Sequence, residues 1–232
     1  MFERGKYIIT EGTDATGKST VADLLAVKAR MAGYEVIRVD EPDSAFNEQG
    51  EVLVPIASEL RKIIKNGDLG RTALTNVLLF TAARLENWEQ ATKPALERGA
   101  WVIGARNWLS TLVYQGYGEG FDLDIIKDLT KSTIGDEYLS PNHLFILDLE
   151  DEKERSRRLS ERGVLDTPDT FESRGDDFQL SLRKGYRAVA KDYDIEIVSA
   201  VPLKDEVAST IWKQINTTKN TRLDIEKVNR LF

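Results

Sequence analysis

The stretch EGTDATGKST, Glu11 to Thr20, constrains this chain more than any other. Gly12 to Ser19 fit the pattern G-x-x-x-x-G-K-S/T, and the apolar run KYIIT, Lys6 to Thr10, precedes them. A strand that enters a glycine-rich loop and leaves it as a helix is a cradle for phosphate. Glycines let successive backbone N–H groups converge on one anion, and the helix N-terminus adds positive potential. Gly12, Thr13, Asp14, Ala15, Thr16, Gly17, Lys18, Ser19 and Thr20 are therefore the expected contacts to a nucleotide triphosphate, with Lys18 reaching the β- and γ-phosphates. The Ser19 hydroxyl is the expected ligand to Mg²⁺.

Such a loop needs a sheet around it. Lys6–Thr10, Glu35–Val39 (EVIRV), Trp101–Gly104 (WVIG), Leu144–Asp148 (LFILD) and Ile195–Ser199 (IEIVS) read as five strands. Helical periodicity fills the gaps at Ser19–Met31, Val52–Lys65, Leu74–Glu97, Leu123–Thr133 and Phe178–Lys191. Strands alternating with helices predict an α/β fold, a five-stranded parallel sheet flanked by helices on both faces. No linker interrupts the pattern, so residues 1–216 are expected to form a single domain. The remainder, 217–232, reads either as a frayed tail or as a short amphipathic helix through Ile225, Val228 and Leu231–Phe232.

Composition removes several function classes. With no cysteine and one histidine, thiolate metal sites, disulfides and cysteine nucleophiles are excluded, and a reducing, cytoplasmic compartment is expected. The N-terminal residues carry no secretory h-region. No run of eighteen apolar residues marks a membrane span. A net charge of -7 argues against a polymeric nucleic acid as partner, so any anion site must be a local cluster of cations. No N-K-x-D guanine reader accompanies the loop, which separates it from switch GTPases.

A small-molecule kinase needs a second anion site and a lid. Arg61 lies on a helix after the second strand, Arg84 ends LLFTAAR, and Arg106 leaves the third strand, where a parallel sheet opens its ligand crevice. Phe80 precedes Arg84 by one helical turn, an aromatic beside a hydrogen-bond donor, which suits either a planar base or an ordinary core. In DEKERSRRLSERG, Arg155, Arg158 and Arg162 share one helix face with Arg157 alongside. This run reads either as a salt-bridged exposed helix or as a lid that delivers cations to a migrating phosphoryl group.

Taken together these stretches resemble the thymidylate kinase family, P-loop nucleoside monophosphate kinases that phosphorylate dTMP, over about Lys6 to Ser199. EGTDATGKST resembles E-G-x-D-x-x-G-K-S/T. Glu41-Pro42 fall at R-E-P-G-G-T, and ELR, LLFTAAR and KPALERGAWVI follow in family order. ARNWLSTLVYQG resembles D-R-x-x-x-S-T-x-A-Y-Q-G, and Asp169, Glu172 and Phe178 resemble D-R-x-E-x-x-x-x-x-F. The resemblance implies a helical lid at about 150–178, ATP and Mg²⁺ as donor and cofactor, and a homodimer through long helices. It implies Asp14, Glu41 and Pro42 near the acceptor sugar, and Arg61 and Arg106 on the acceptor phosphate. Phe80, Arg84, Ser110, Thr111 and Gln115 would take the base, Tyr114 would crowd a 2′-hydroxyl, and Glu172 belongs to the same set. Lys18, Arg106 and the lid arginines Arg157, Arg158 and Arg162 would be catalytic, with Arg174 a further lid candidate.

Three positions depart from the pattern: Ala105 for Asp, Asp43-Ser44 for Gly-Gly, and Thr170 for Arg. They leave open another deoxypyrimidine monophosphate as acceptor, a deoxynucleoside kinase, or a nucleotide-binding protein with little catalysis. Asp43 is expected to compensate in part for the carboxylate missing at 105.

Overall fold

A computed structural model describes residues 3–161, 171 and 174–217. Strand β1 (Tyr7–Gly12) leads through the glycine loop into α1 (Lys18–Met31), then β2 (Val36–Asp40), the two-residue β3 (Ala45–Phe46) and α2 (Pro55–Lys65). Helices α3 (Ala73–Asn87) and α4 (Lys93–Glu97), joined by a wide π turn, precede β4 (Trp101–Ala105). Helices α5 (Trp108–Thr111), α6 (Leu123–Thr133) and α7 (Asp136–Leu139) lead to β5 (His143–Asp148). Helices α8 (Glu152–Glu161) and α9 (Asp176–Tyr193), strand β6 (Glu196–Ser199) and helix α10 (Lys204–Thr217) complete the described chain.

The strands form one sheet in the order β3-β2-β4-β1-β5-β6. The five expected strands are parallel, and β3 adds an antiparallel edge to β2. Period-2 alternation divides the core. Ile8, Val36, Trp101, Ile103, Ala105, Phe145 and Leu147 face α1 and α10, where Val21, Leu25, Val207 and Ile211 pack on them. Tyr7, Ile9, Ile37, Val102, Leu144 and Ile146 face the opposite layer with Trp108, Leu112, Tyr138 and Tyr186.

Helix ends follow local chemistry. Pro55 stands at the first turn of α2, which trims the expected Val52 start, because a proline suits that turn and not a helix interior. The Thr72 side chain accepts from Thr75 N–H to cap α3, and Asp122 accepts from Asp124 and Ile125 N–H to cap α6. The expected single helix Leu74–Glu97 is interrupted because Pro94 has no N–H to donate one turn back; the π turn Trp88–Thr92 lies just ahead of it. Among the described residues no helix is long and apolar enough to cross a membrane. The expected short helix in the tail lies outside the described residues, as do Arg162, Asp169, Thr170 and Glu172.

Candidate functional site

β1 turns into α1 on one sheet face, while the chain leaving β4 enters the other layer. Their C-terminal ends, side by side with Thr10 opposite Ala105, are the point where an open α/β sheet forms its crevice. A cleft of roughly 810 Å³, counting its open mouth, lies there. Its walls include Asp14, Lys18, Ser19, Asp40, Glu41, Pro42, Arg61, Phe80, Arg106, Ser110, Tyr114 and Phe171.

The loop is built for close approach. Gly12 has φ 139°, and a Cβ there would sit 2.3 Å from the Leu147 carbonyl oxygen, so no side chain fits. Thr16 Oγ1 donates to the Thr13 carbonyl at 2.8 Å, and Lys18 Nζ donates to the same carbonyl at 2.6 Å, so the lysine lies folded along the loop. Burial and the Arg106 charge pull the Lys18 ammonium down to about 7, against the carboxylates of Asp14 and Glu11.

Arg106 is the turning point. It has φ 70°, a region a residue with a Cβ rarely enters unless its surroundings hold it there. Its Nη2 donates to Asp14 Oδ1 at 2.5 Å and to Tyr114 Oη at 3.1 Å, and its Nη1 to Ser110 Oγ at 3.1 Å. The guanidinium also lies 5.0 Å from the Tyr114 ring centroid. Tyr114 Oη donates in turn to Asp14 Oδ2 at 2.9 Å. Burial alone would raise the Asp14 carboxyl, but Arg106, Lys18 and the Tyr114 hydroxyl hold it down at about 2. The result is a charged fork beside the phosphate loop, a suitable partner for a second phosphate.

Beneath this pair lies Glu11, fully buried. It accepts from Asn107 N–H at 2.7 Å, Ser110 N–H at 3.2 Å, Ser110 Oγ at 2.8 Å and Tyr186 Oη at 2.8 Å. It ties β1 to the turn after β4 and fixes the height of Arg106. The motif EGTDATGKST carries no local sign of this role for Glu11, whose partners lie about a hundred positions or more away.

Other expected site residues divide between the cleft and the wall behind it. Arg61 reaches the cleft with its Nε 3.2 Å from Asp43 Oδ2. Phe80 lines the cleft with its ring centroid 6.0 Å from that of Phe171, and Phe171 stands edge-on to Tyr114. Phe171 was not anticipated. Arg84 is buried behind the wall: its Nε donates to Glu41 Oε2 at 3.0 Å and its Nη2 to Thr111 Oγ1 at 2.9 Å. Burial pushes the Glu41 carboxyl up, against the pull of Arg84 and the Tyr138 hydroxyl. Thr111 and Gln115 are buried as well, and both polar side-chain atoms of Gln115 lack a hydrogen-bond partner among the described residues. The Glu41–Pro42 bond is cis.

Helix α8, within the expected lid, makes a different picture. Arg157 pairs with Glu154 at 2.7 Å and with Glu161, and Arg158 pairs with Glu154 at 2.7 Å. Bonds from these arginines hold the Glu154 carboxyl at about 2. Arg155 turns inward to Gln179, and Arg174 lies over the rings of Phe178 and Phe171 while pairing with Glu119 at 2.6 Å. Neither Arg157 nor Arg158 lines the cleft.

Asp43 does not approach the loop as expected. Its carboxylate takes Arg61, the Ser58 hydroxyl at 2.8 Å and the Ser44 N–H at 2.9 Å. The carboxylate beside the loop is that of Asp40, whose oxygens lie 3.4 and 3.3 Å from Ser19 Oγ.

Similarity to known proteins runs along most of the chain. The family model described as thymidylate kinase matches residues 10–211. A thymidylate kinase from an Exiguobacterium strain is 34% identical over 196 residues, covering 84% of this chain and 85% of the relative. One from Ruegeria pomeroyi is 33% identical over 223 residues, covering 95% of this chain and 99% of the relative. A solved thymidylate kinase structure from Ehrlichia chaffeensis superimposes with a TM-score of 0.67 at 24% identity, covering 90% of this chain and 98% of that one, and shares its fold.

Proposed function

The chain belongs to the thymidylate kinase family, and we propose that it transfers the γ-phosphate of ATP to dTMP, giving dTDP and ADP. The observation that carries this reading is Arg106, turned by its positive φ and held by Asp14, Ser110 and Tyr114 beside the phosphate loop. One cradle takes the donor phosphates and one fork takes the acceptor phosphate, with the transfer path between them. An oxygen of the acceptor phosphate attacks the γ-phosphorus in line; the bond to the β–γ bridging oxygen breaks and ADP leaves. The protein's share is positioning and charge stabilisation, since the reaction needs no covalent nucleophile.

Lys18 extends from the Thr13 carbonyl to the β- and γ-phosphates. Arg61 joins Arg106 on the acceptor phosphate, Phe80 faces the base, and Arg84, Ser110, Thr111 and Gln115 form the wall behind it. Tyr114, fixed between Arg106 and Asp14, crowds the position of a 2′-hydroxyl. Residues 150–178 act as the lid, with Arg157 and Arg158 exchanging glutamate partners for phosphate oxygens on closure and Arg162 joining them there. Ser19 Oγ with the Asp40 carboxylate beside it is a hard-oxygen donor set that fits Mg²⁺, which takes few protein ligands and keeps several waters. When bound, the ion neutralises charge on the β- and γ-phosphates. Leu74 and Leu78, exposed one turn apart on α3, with Ile125 on α6, supply an apolar face for a homodimer. A chain without cysteine that works on free nucleotides fits the cytoplasm.

Coupled ADP release across dTMP, dUMP, dCMP, dGMP and thymidine tests the reading. Turnover is expected with dTMP, less with dUMP, and none with thymidine. Turnover with thymidine and not with any monophosphate overturns it.

A further inference from the structure

Position 105 carries a methyl group where a metal-positioning carboxylate would serve, at the end of β4 and beside the phosphate loop. Ala105 is fully buried and faces α1. Its neighbour across the sheet is Asp40, the last residue of β2, paired with it in register. Residues paired this way in parallel strands stand at the same height and point to the same side, about 4.8 Å apart. The alternation of β2 confirms the side: Val36 packs in the α1 layer, and Arg38 Nε donates to Asp23 of α1 at 2.8 Å. Asp40, two residues further, meets Ser19 in the first turn of α1 at 3.3 Å. Half-buried, it lines the cleft itself.

We infer that Asp40 is the carboxylate that positions the nucleotide's Mg²⁺ in this chain, moved one strand over from position 105. The other acidic groups nearby are committed elsewhere. Glu11 is filled by three donors of the turn after β4 and by the Tyr186 hydroxyl of α9, Asp14 by Arg106 and Tyr114, and Asp43 by Arg61, Ser58 and Ser44. Among the described residues, the side-chain hydrogen bond to the Asp40 carboxylate comes from the Ser19 hydroxyl, the very group expected on the metal. It acts on the ion together with Ser19, directly or through a bound water, as oxygen groups around Mg²⁺ commonly do.

This inference rests on the phosphotransfer reading, and the test separates the two. Mn²⁺ binding in the presence of ADP is measured by electron paramagnetic resonance, and ADP binding without metal by calorimetry. Asp40→Asn is expected to weaken Mn²⁺ by about tenfold or more while metal-free ADP binds as well as or better than in the wild type, which also shows that the variant is folded. Adding Ala105→Asp to that variant is expected to restore part of the Mn²⁺ affinity, and Ala105→Asp alone to raise it. Wild-type Mn²⁺ affinity in Asp40→Asn overturns the assignment and leaves the phosphotransfer reading standing. A wild-type protein whose ADP affinity ignores Mn²⁺ overturns both.

Discussion

Two sets of arginines are placed in opposite ways. Arg106, after β4, is partly buried, backbone-strained and pinned by a carboxylate, a hydroxyl and a phenol. Arg157, on the lid helix, is half exposed and paired with glutamates one turn away on its own helix. The first arrangement costs folding energy and gives a fixed geometry. The second costs little, since exposed ion pairs within one helix are screened by water and exchange partners easily. On the proposed function, the difference teaches how one residue type is divided between binding and delivery: the proposed acceptor side is built in advance, and the proposed lid holds its charge loosely until phosphate arrives.

The largest expected effect falls on the fixed side. Arg106→Ala should lower kcat/KM for dTMP by about 10²- to 10³-fold, with ATP affinity little changed. Arg106→Lys should recover only a small part, because an ammonium lacks the planar fork. Steady-state kinetics on both variants check this, and a loss within tenfold would break the contrast with the lid.

Next in size is the support beneath. Glu11→Ala leaves Asn107 N–H, Ser110 N–H and the Tyr186 hydroxyl without their acceptor. Urea unfolding should show a loss of about 3 kcal/mol. An unchanged midpoint would mean that Arg106 is not held from below.

A smaller effect appears in pH. With protein groups alone around it, Lys18 titrates at about 7. Phosphate oxygens at Nζ raise that value, so ATP binding takes up a proton above pH 7. Affinity is then full below pH 7 and falls with rising pH, by up to about 1.4 kcal/mol per unit, until the pKa of the bound state is passed. Calorimetry at pH 8 in buffers of different ionisation enthalpy reads the uptake directly; no uptake contradicts it.

The smallest effect on stability belongs to the lid. Arg157→Ala should leave the unfolding midpoint nearly unchanged, since exposed ion pairs are screened by water, yet lower kcat clearly. A stability loss as large as that of Glu11→Ala would erase the distinction between the two arginine sets.

Much of this division could be read in the sequence. The phosphate loop needs only adjacent residues, so EGTDATGKST declares itself, and Arg106 follows an apolar run whose end must open onto the crevice. The five parallel strands follow from their β-rich runs. Helix α10 carried a readable stripe in Val207, Ala208, Ile211 and Ile215, yet it was not anticipated beyond the last strand. Strand β3 was too short to show any alternation. Arg84 shows what local pattern cannot reach: its partner Glu41 is 43 positions away, and only the fold puts the two together behind the wall. Asp40 is the same lesson at the loop. Nothing in VDEPDS marks it, and its meaning comes from the register of β2 against β4.

On the proposed function, two phosphates meet across this cleft, one on the loop and one on Arg106. Phosphorus NMR of the protein with ATP, Mg²⁺ and dTMP tests it most directly. The expected result is the β-phosphorus signal of dTDP growing in step with ADP, and no dTDP with Arg106→Ala on the same timescale. ADP accumulating with inorganic phosphate and no dTDP would contradict it.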